Sequence, residues 1–377
     1  MKKKRKVFGF LLLLAFLIGI AGVIFLMSVV NSVSKVAGGA GQELALTDNL
    51  RYSLRLNKNL DGLTKATYFA DLNEKKFTIE QTNRAFDVCQ NLETESFVSS
   101  ASTFCDFLIY KGFDRSLSPG TYTINNGLNL MEIASFIADG SNRDIQFTIF
   151  EGWRLEEIAE MLDQYSFQFS GQQFLAFALL PSEQIQTVLS LPEGRSLEGF
   201  ISPGLYSLKP TTTLEEFVTE SVSRFVNTLA ELKSGQNTQP ISLTDYQVLT
   251  LASIIQRETL AEEEMPLIAS VLYNRLAIGM KLETDPTVQY GIGYVPGQET
   301  WWKTALTFDD LSTISEYNTY QVYGLPPGPI CSPGKEAIQA AFAPAETGYF
   351  FFRAKCDGSL THNFATTYEE HLANGCE

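Results

Sequence analysis

The chain opens MKKKRKVFGFLLLLAFLIGIAGVIFLMSVVNS, and no charged residue stands between Val7 and Val30. About 24 apolar residues at ~1.5 Å each span the ~30 Å hydrocarbon core of a bilayer with some tilt to spare. A helix apolar on every side has no face to offer water, so the segment needs lipid and the remainder must fold as a body of its own. Lys2, Lys3, Lys4, Arg5 and Lys6 precede the run and only Lys35 follows it closely. That asymmetry places the N-terminus in the cytoplasm and the body outside. A cleaved signal peptide carries a shorter apolar region, of ~7–15 residues. The reading is therefore an uncleaved single-pass anchor, with the small residues of SKVAGGA keeping cleavage as the alternative. Residues 1–6 form a cytoplasmic tail, 7–30 the anchor, and 31–45, rich in Ser, Gly and Ala, a spacer.

With the basic tail set aside, 23 basic residues face 43 acidic ones. Such a body repels nucleic acid and anionic lipid, so no nucleic-acid partner is expected. A composition of 45% hydrophobic and 19% charged residues is that of a folded chain. Cys89, Cys105, Cys331, Cys356 and Cys376 include no CxxC pair and only two histidines accompany them. A zinc site is not expected from this set. In an oxidising compartment Cys89 and Cys105 are near enough in sequence to pair, as are two of the last three. The odd count leaves at least one thiol unpaired within the chain.

Between the spacer and the polar break KSGQNTQP at residues 233–240, one pattern recurs. FTIEQTNRAFDVCQNL (77–92), YTINNGLNLMEIASFI (122–137) and FTIFEGWRLEEIAEML (147–162) each place a short aromatic-Thr-Ile strand before a turn and an amphipathic helix. Helical stripes such as Leu130, Ile133, Ala134 and Ile137 read as core. These units assign residues 46–165 to an extracytoplasmic strand-turn-helix region and 166–240 to a connecting part. In the latter, Thr213 and Glu216 form a capping-box pattern, and the turns Glu198-Gly199-Phe200 and Pro203-Gly204 are candidates to line a cleft, which spacing alone does not show. Residues 241–377 form the chemical core, and the expected class is α+β.

In LTLASIIQRETLAEEEMP, residues 249–266, the apolar stripe of Val248, Leu251, Ile254 and Ile255 continues onto Glu258. A carboxylate against an apolar wall resists ionisation and acquires the pKa of a general acid. Ser242 and Asp245 start this helix. Glu262, Glu263 and Glu264 read as a solvated stretch, followed by a helix through Asn274 that ends toward Gly279. Asp285 before Pro286 is an N-cap pattern. Asn274, Asp285, Thr287 and Tyr290 are nevertheless groups that could hold sugar hydroxyls. So are the crowded Tyr317, Asn318, Thr319 and Tyr320 ahead of the rigid GLPPGP loop, whose aromatic faces suit pyranose rings. Ser332 and Pro333 begin an alanine-rich helix. The tail gives two strands about the Asp357-Gly358 turn, the second reaching Phe364.

The blocks ASIIQRET, ASVLYNRLAIGMKLETDPTVQYGIG, YNTYQVYGLPPGPICSPG and His362-Asn363-Phe364 together resemble the endolytic murein transglycosylase, or YceG-like, family over roughly residues 240–370. FTIFEGW and the turn at 198–200 extend the likeness back to about residue 115. Ser202-Pro203-Gly204 departs from the family's usual aromatic-proline-acid run, and Cys331-Ser332 stands where asparagine is common. The resemblance implies a membrane anchor, a small LysM-like module and a mixed α+β catalytic domain outside a bacterial cytoplasmic membrane. It implies a lytic transglycosylase that cuts nascent peptidoglycan between N-acetylmuramic acid and N-acetylglucosamine without a cofactor. It also implies that 1,6-anhydro ends form and strand elongation stops, and it assigns the catalytic role to Glu258. Its partners would be glycan strands and the membrane, with peptidoglycan synthases or division proteins as further candidates. The residues alone leave two rivals open: a hydrolase using Glu258 with Asp285, and a non-catalytic wall-binding protein.

Overall fold

The computed structural model describes residues 2–70, 73–233 and 238–375. Residues 234–237 of the expected polar break, and Cys376, lie outside them. Packing divides the chain into two units, residues 1–146 with 207–210 and residues 147–206 with 211–377.

In the first unit the N-terminal helix runs Lys2–Ala37, and Phe10–Ala37 is long and apolar enough to cross a membrane. The helix does not stop at Val30. Val29, Val33 and Ala37 recur every four residues and are buried, so residues 31–37 are helical instead of forming a loose spacer. Gly38, at φ +73°, ends the helix in the left-handed conformation.

Each expected strand-turn-helix unit is present. β1 (Glu74–Ile79) precedes the helix Ala85–Thr94, β2 (Gly120–Asn125) the helix Leu130–Ala138, and β3 (Arg143–Ile149) the helix Leu155–Leu162. All three helices start alike: the backbone N–H of Arg84, Asn129 or Arg154 donates to the carboxylate of Asp87, Glu132 or Glu157, three residues on. β1 and β2 pair antiparallel from Glu74↔Asn125 to Ile79↔Gly120, and β2 meets the start of β3 at Thr121↔Asp144. Phe77, Ile79, Tyr122 and Ile124 point into the first unit's core with Leu92, Phe104 and Ile133. The Cys89–Cys105 disulfide ties helix 85–94 to helix Ala101–Lys111. Cys356 is also disulfide-bonded, and Cys331 is a free, buried thiol. The division between units falls within β3 and not after residue 165, so the third helix belongs to the second unit.

The second unit is built around the helix Asp245–Glu258. Thr244, with Gln247 in a capping box, starts it, not Ser242, which is two residues farther from the first helical turn. Residues 248–256 are all buried, so the stripe read from periodicity is only part of a helix enclosed on every side. Helices Met265–Ala277, Asp285–Ile292 and Lys335–Phe342 pack around it. The last has Gly334 as its N-cap, and Ser332 is buried in the loop before it. Residues 214–233 form the expected amphipathic helix, with Thr213 and Glu216 exchanging cap hydrogen bonds. β4 (Gly204–Leu208) precedes that helix, and β5 (Phe351–Ala354) and β6 (His362–Ala365) make the terminal hairpin.

Candidate active site

Glu258 is the last residue of the enclosed helix, so its side chain emerges where the core opens. The residue retains some accessible surface, while its Oε1 is buried and accepts no hydrogen bond. Desolvation, then the nearby negative charge of Asp285, push its pKa up to about 8, against the opposing charge of Arg275. At neutral pH this carboxyl holds its proton.

The loops over this helix are held by its own polar side chains. Ser253 Oγ accepts the Ile330 N–H at 3.0 Å, and Gln256 Oε1 accepts that of Gly334 at 2.8 Å. Gly152 and Trp153 exchange backbone hydrogen bonds with Ser332 at 2.8 and 2.7 Å. Gly199 adopts φ +83°, and a Cβ there would lie 2.6 Å from Pro329 Cβ. The turn at 198–200, the EGW turn and the proline-rich loop therefore converge beside the helix.

Asp285 is the first residue of its helix, with Thr284 at the N-cap, and makes no cap bond. Its Oδ1 instead accepts from the Tyr320 hydroxyl at 2.8 Å. Burial and the charge of Asp285 hold that hydroxyl well above its ordinary pKa, so it stays a donor. Arg275 donates from Nε to the Phe350 carbonyl at 2.7 Å and from one terminal nitrogen to the Leu282 carbonyl at 2.6 Å, fixing the cation that faces Glu258.

A second buried acid, not singled out by residue type, stands in the 198–200 turn. Glu198 is 3% exposed; its Oε2 accepts from the Tyr290 hydroxyl at 3.2 Å and the Leu155 N–H at 3.4 Å, and its Oε1 is buried without a partner. Burial, then the charge of Glu156, raise it to about 8 against the pull of Arg154. The Tyr290 and Tyr317 rings lie 4.6 Å apart, and the Arg154 guanidinium covers Tyr290 at 4.1 Å.

The other polar residues singled out in the sequence turn their polar groups to the protein itself. Asn274 Nδ2 donates to the carbonyls of Thr347 and Tyr349, at 2.9 and 2.8 Å. Thr287 and Thr319, both fully buried, bond each other at 2.8 Å, and Asn318 Nδ2 donates to the Leu311 and Thr313 carbonyls. Tyr290, Tyr317 and Tyr320 keep part of their surface accessible, and Asp285 is exposed. Glu262 and Glu263 are solvated as read, but Glu264 is not: it is 7% exposed and grips His362, accepting its N–H at 2.8 Å and lying 2.7 Å from Nδ1. The β6 strand supplies that partner from 98 residues away.

Fold and site define a mixed α+β protein with an apolar N-terminal helix and a proton-holding acid at the mouth of a buried helix. The YceG-like family matches residues 77–376. An endolytic murein transglycosylase of Bacillus subtilis is 31% identical over 293 residues, covering 74% of this chain and 78% of that protein. One from Streptococcus pneumoniae is 27% identical over 333 residues, 81% of this chain, which spans 59% of the pneumococcal protein's length. A crystal structure of a YceG-like protein from Listeria monocytogenes superposes with a TM-score of 0.58 at 29% identity, over 80% of this chain and 98% of that one. The chain belongs to the YceG-like family.

Proposed function

We propose that this chain is a membrane-anchored endolytic lytic transglycosylase acting on nascent peptidoglycan, with Glu258 as its single acid and base. The observation that carries the reading is the Glu258 carboxyl itself: protonated at neutral pH, desolvated at Oε1, and reachable at the end of its helix. Glu258 donates its proton to the oxygen leaving C1 of N-acetylmuramic acid, and the C1–O bond breaks. The carboxylate then takes the proton of that sugar's C6 hydroxyl as O6 attacks C1. The ring closes to a 1,6-anhydro end, the proton returns to Glu258, and no water is consumed. Asp285 favours the proton-loaded state before cleavage, and Arg275 steadies the carboxylate after it.

In this reading Asp285, Tyr290, Tyr317 and Tyr320 meet the glycan, while Asn274, Thr287, Asn318 and Thr319 hold the walls that carry them. Residues 7–30 of the N-terminal helix cross the cytoplasmic membrane with the folded body outside, the strand-turn-helix units serve as a LysM-like glycan-holding module, and cleavage ends strand elongation. Peptidoglycan synthases or division proteins are the corresponding protein partners.

Mass spectrometry of glycan strands incubated with wild type and Glu258→Gln tests the proposal. Anhydro ends are expected from wild type, reduced about 10²–10⁴-fold in the variant. Reducing ends instead would make the chain a hydrolase using Asp285 as its second carboxylate, and strands bound but intact would make it a wall-binding protein.

A further inference from the structure

Trp301 and Trp302 stand side by side, and both take their orientation from one helix. Trp302 Nε1 donates to Glu157 Oε2 at 3.0 Å, and Trp301 Nε1 to Glu160 Oε1 at 2.9 Å. The two acids are three residues apart on helix Leu155–Leu162 and so share a face. The Arg154 guanidinium lies 4.8 Å from the Trp301 ring centre as well as 4.1 Å from that of Tyr290. Arg257, the residue before Glu258, lies 3.9 Å over Trp302. Aromatic and guanidinium side chains thus pack in one chain from the acid's own helix, through the buried Trp302 and Arg154, out to Trp301, where the Tyr294 ring stands 5.1 Å away at 58°.

Burial accounts for Trp302, which is 7% exposed and whose indole N–H needs a protein acceptor. It does not account for the outer pair. Trp301 is partly exposed and Tyr294 is 44% exposed, yet an indole N–H at a surface has water available and requires no carboxylate. The loop joining them is pinned by a bridge between Val295 and Thr300. An indole held still at a surface, with a tyrosine ring set at an angle against it and packed contacts back toward the site, forms a preorganised platform: much of the ordering cost is met before any ligand arrives.

We propose that Tyr294 and Trp301 are a distal sugar subsite, stacking on a pyranose of the same strand whose cleaved bond lies at Glu258. The inference rests on the glycan reading of the site, since flat apolar faces with fixed polar edges match the C–H face of a pyranose. A strand cut internally extends past the cleaved bond on both sides, and this platform holds one of those extensions.

The test uses the full chain in nanodiscs, carrying Glu258→Gln so that nothing is consumed, and measures binding to long peptide-free glycan strands and to a tetrasaccharide. Trp301→Ala and, separately, Tyr294→Ala are expected to weaken long-strand binding about tenfold and the tetrasaccharide less than about twofold, a tenfold loss being ~1.4 kcal/mol. Trp301→Phe, which keeps a flat face, should recover much of the loss. Equal weakening of both ligands, or unchanged long-strand binding in both alanine variants, overturns the subsite. The two readings fail separately. Strands bound through Trp301 but never cleaved by wild type would sink the enzyme and keep the platform, whereas cleavage with unaltered binding in the variants would do the reverse.

Discussion

Replacing Glu198 by glutamine removes one titrating proton while keeping the side chain's shape. The amide oxygen can accept from the Tyr290 hydroxyl and the Leu155 N–H as Oε2 does now. What disappears is a carboxyl whose pKa burial raises from an ordinary 4.5 to about 8. The folded state binds this proton more tightly than the unfolded state. Stability from it is therefore complete below about pH 4.5, declines as pH rises, and is gone above about pH 8. At ~1.4 kcal/mol per pH unit, the loss across that window is on the order of 5 kcal/mol. Glu258 titrates over the same range with the same sign, so the comparison is made in the Glu258→Gln background. Denaturant unfolding of the full chain in detergent at pH 5, 6, 7 and 8 is the assay. The Glu258→Gln chain should lose several kcal/mol more over the series than the Glu258→Gln/Glu198→Gln chain, whose remaining slope comes from groups such as Glu151 and His371. Equal slopes in the two chains would show that Glu198 is ionised or hydrated in the folded protein, and the argument from its burial would fall.

Asp285→Asn removes the charge that helps keep Glu258 protonated, so the alkaline limb of the kcat profile should move to lower pH. A profile that stays in place would show that the two carboxyls are not coupled. Gly199→Ala forces a side chain onto a residue at φ +83° and drives its Cβ to 2.6 Å from Pro329 Cβ. Unfolding free energy should fall by about 2–4 kcal/mol, read from the denaturant midpoint, and a change under ~0.5 kcal/mol would mean that the turn and loop part without cost.

The elements with local causes were legible in the sequence. Each strand-turn-helix unit carries its own alternation, turn and acid at the third helical position, so the neighbouring residues suffice to specify it. Glu258 stood out because a carboxylate followed an apolar stripe. The enclosure of the whole helix did not, since Thr250, Ser253 and Gln256 are polar types whose burial depends on segments such as the 330–334 loop, 77 or 78 residues away. Glu198 was visible only as part of a turn: its partners stand 43 and 92 residues away. The same limit explains Glu264, indistinguishable by type from Glu262 and Glu263 until His362 arrives from β6. Residue type also does not reveal whether a side-chain amide faces a ligand or a backbone carbonyl, which is why Asn274 and Asn318 read as sugar-binding groups and turn up as internal braces. At residues 31–37 composition pointed to a spacer, but the four-residue interval of Val29, Val33 and Ala37 outweighed it.

That continuous helix sets a length. Seven residues of loose chain would let the first unit wander over roughly 15 Å, by the square-root scaling of flexible linkers. Wound as helix they are a rod of about 10 Å with one value. Under the anchor reading, the first unit stands at a set height above the lipid headgroups and turns with the membrane helix as one piece. Any ligand of that unit is then met only within a narrow layer next to the bilayer.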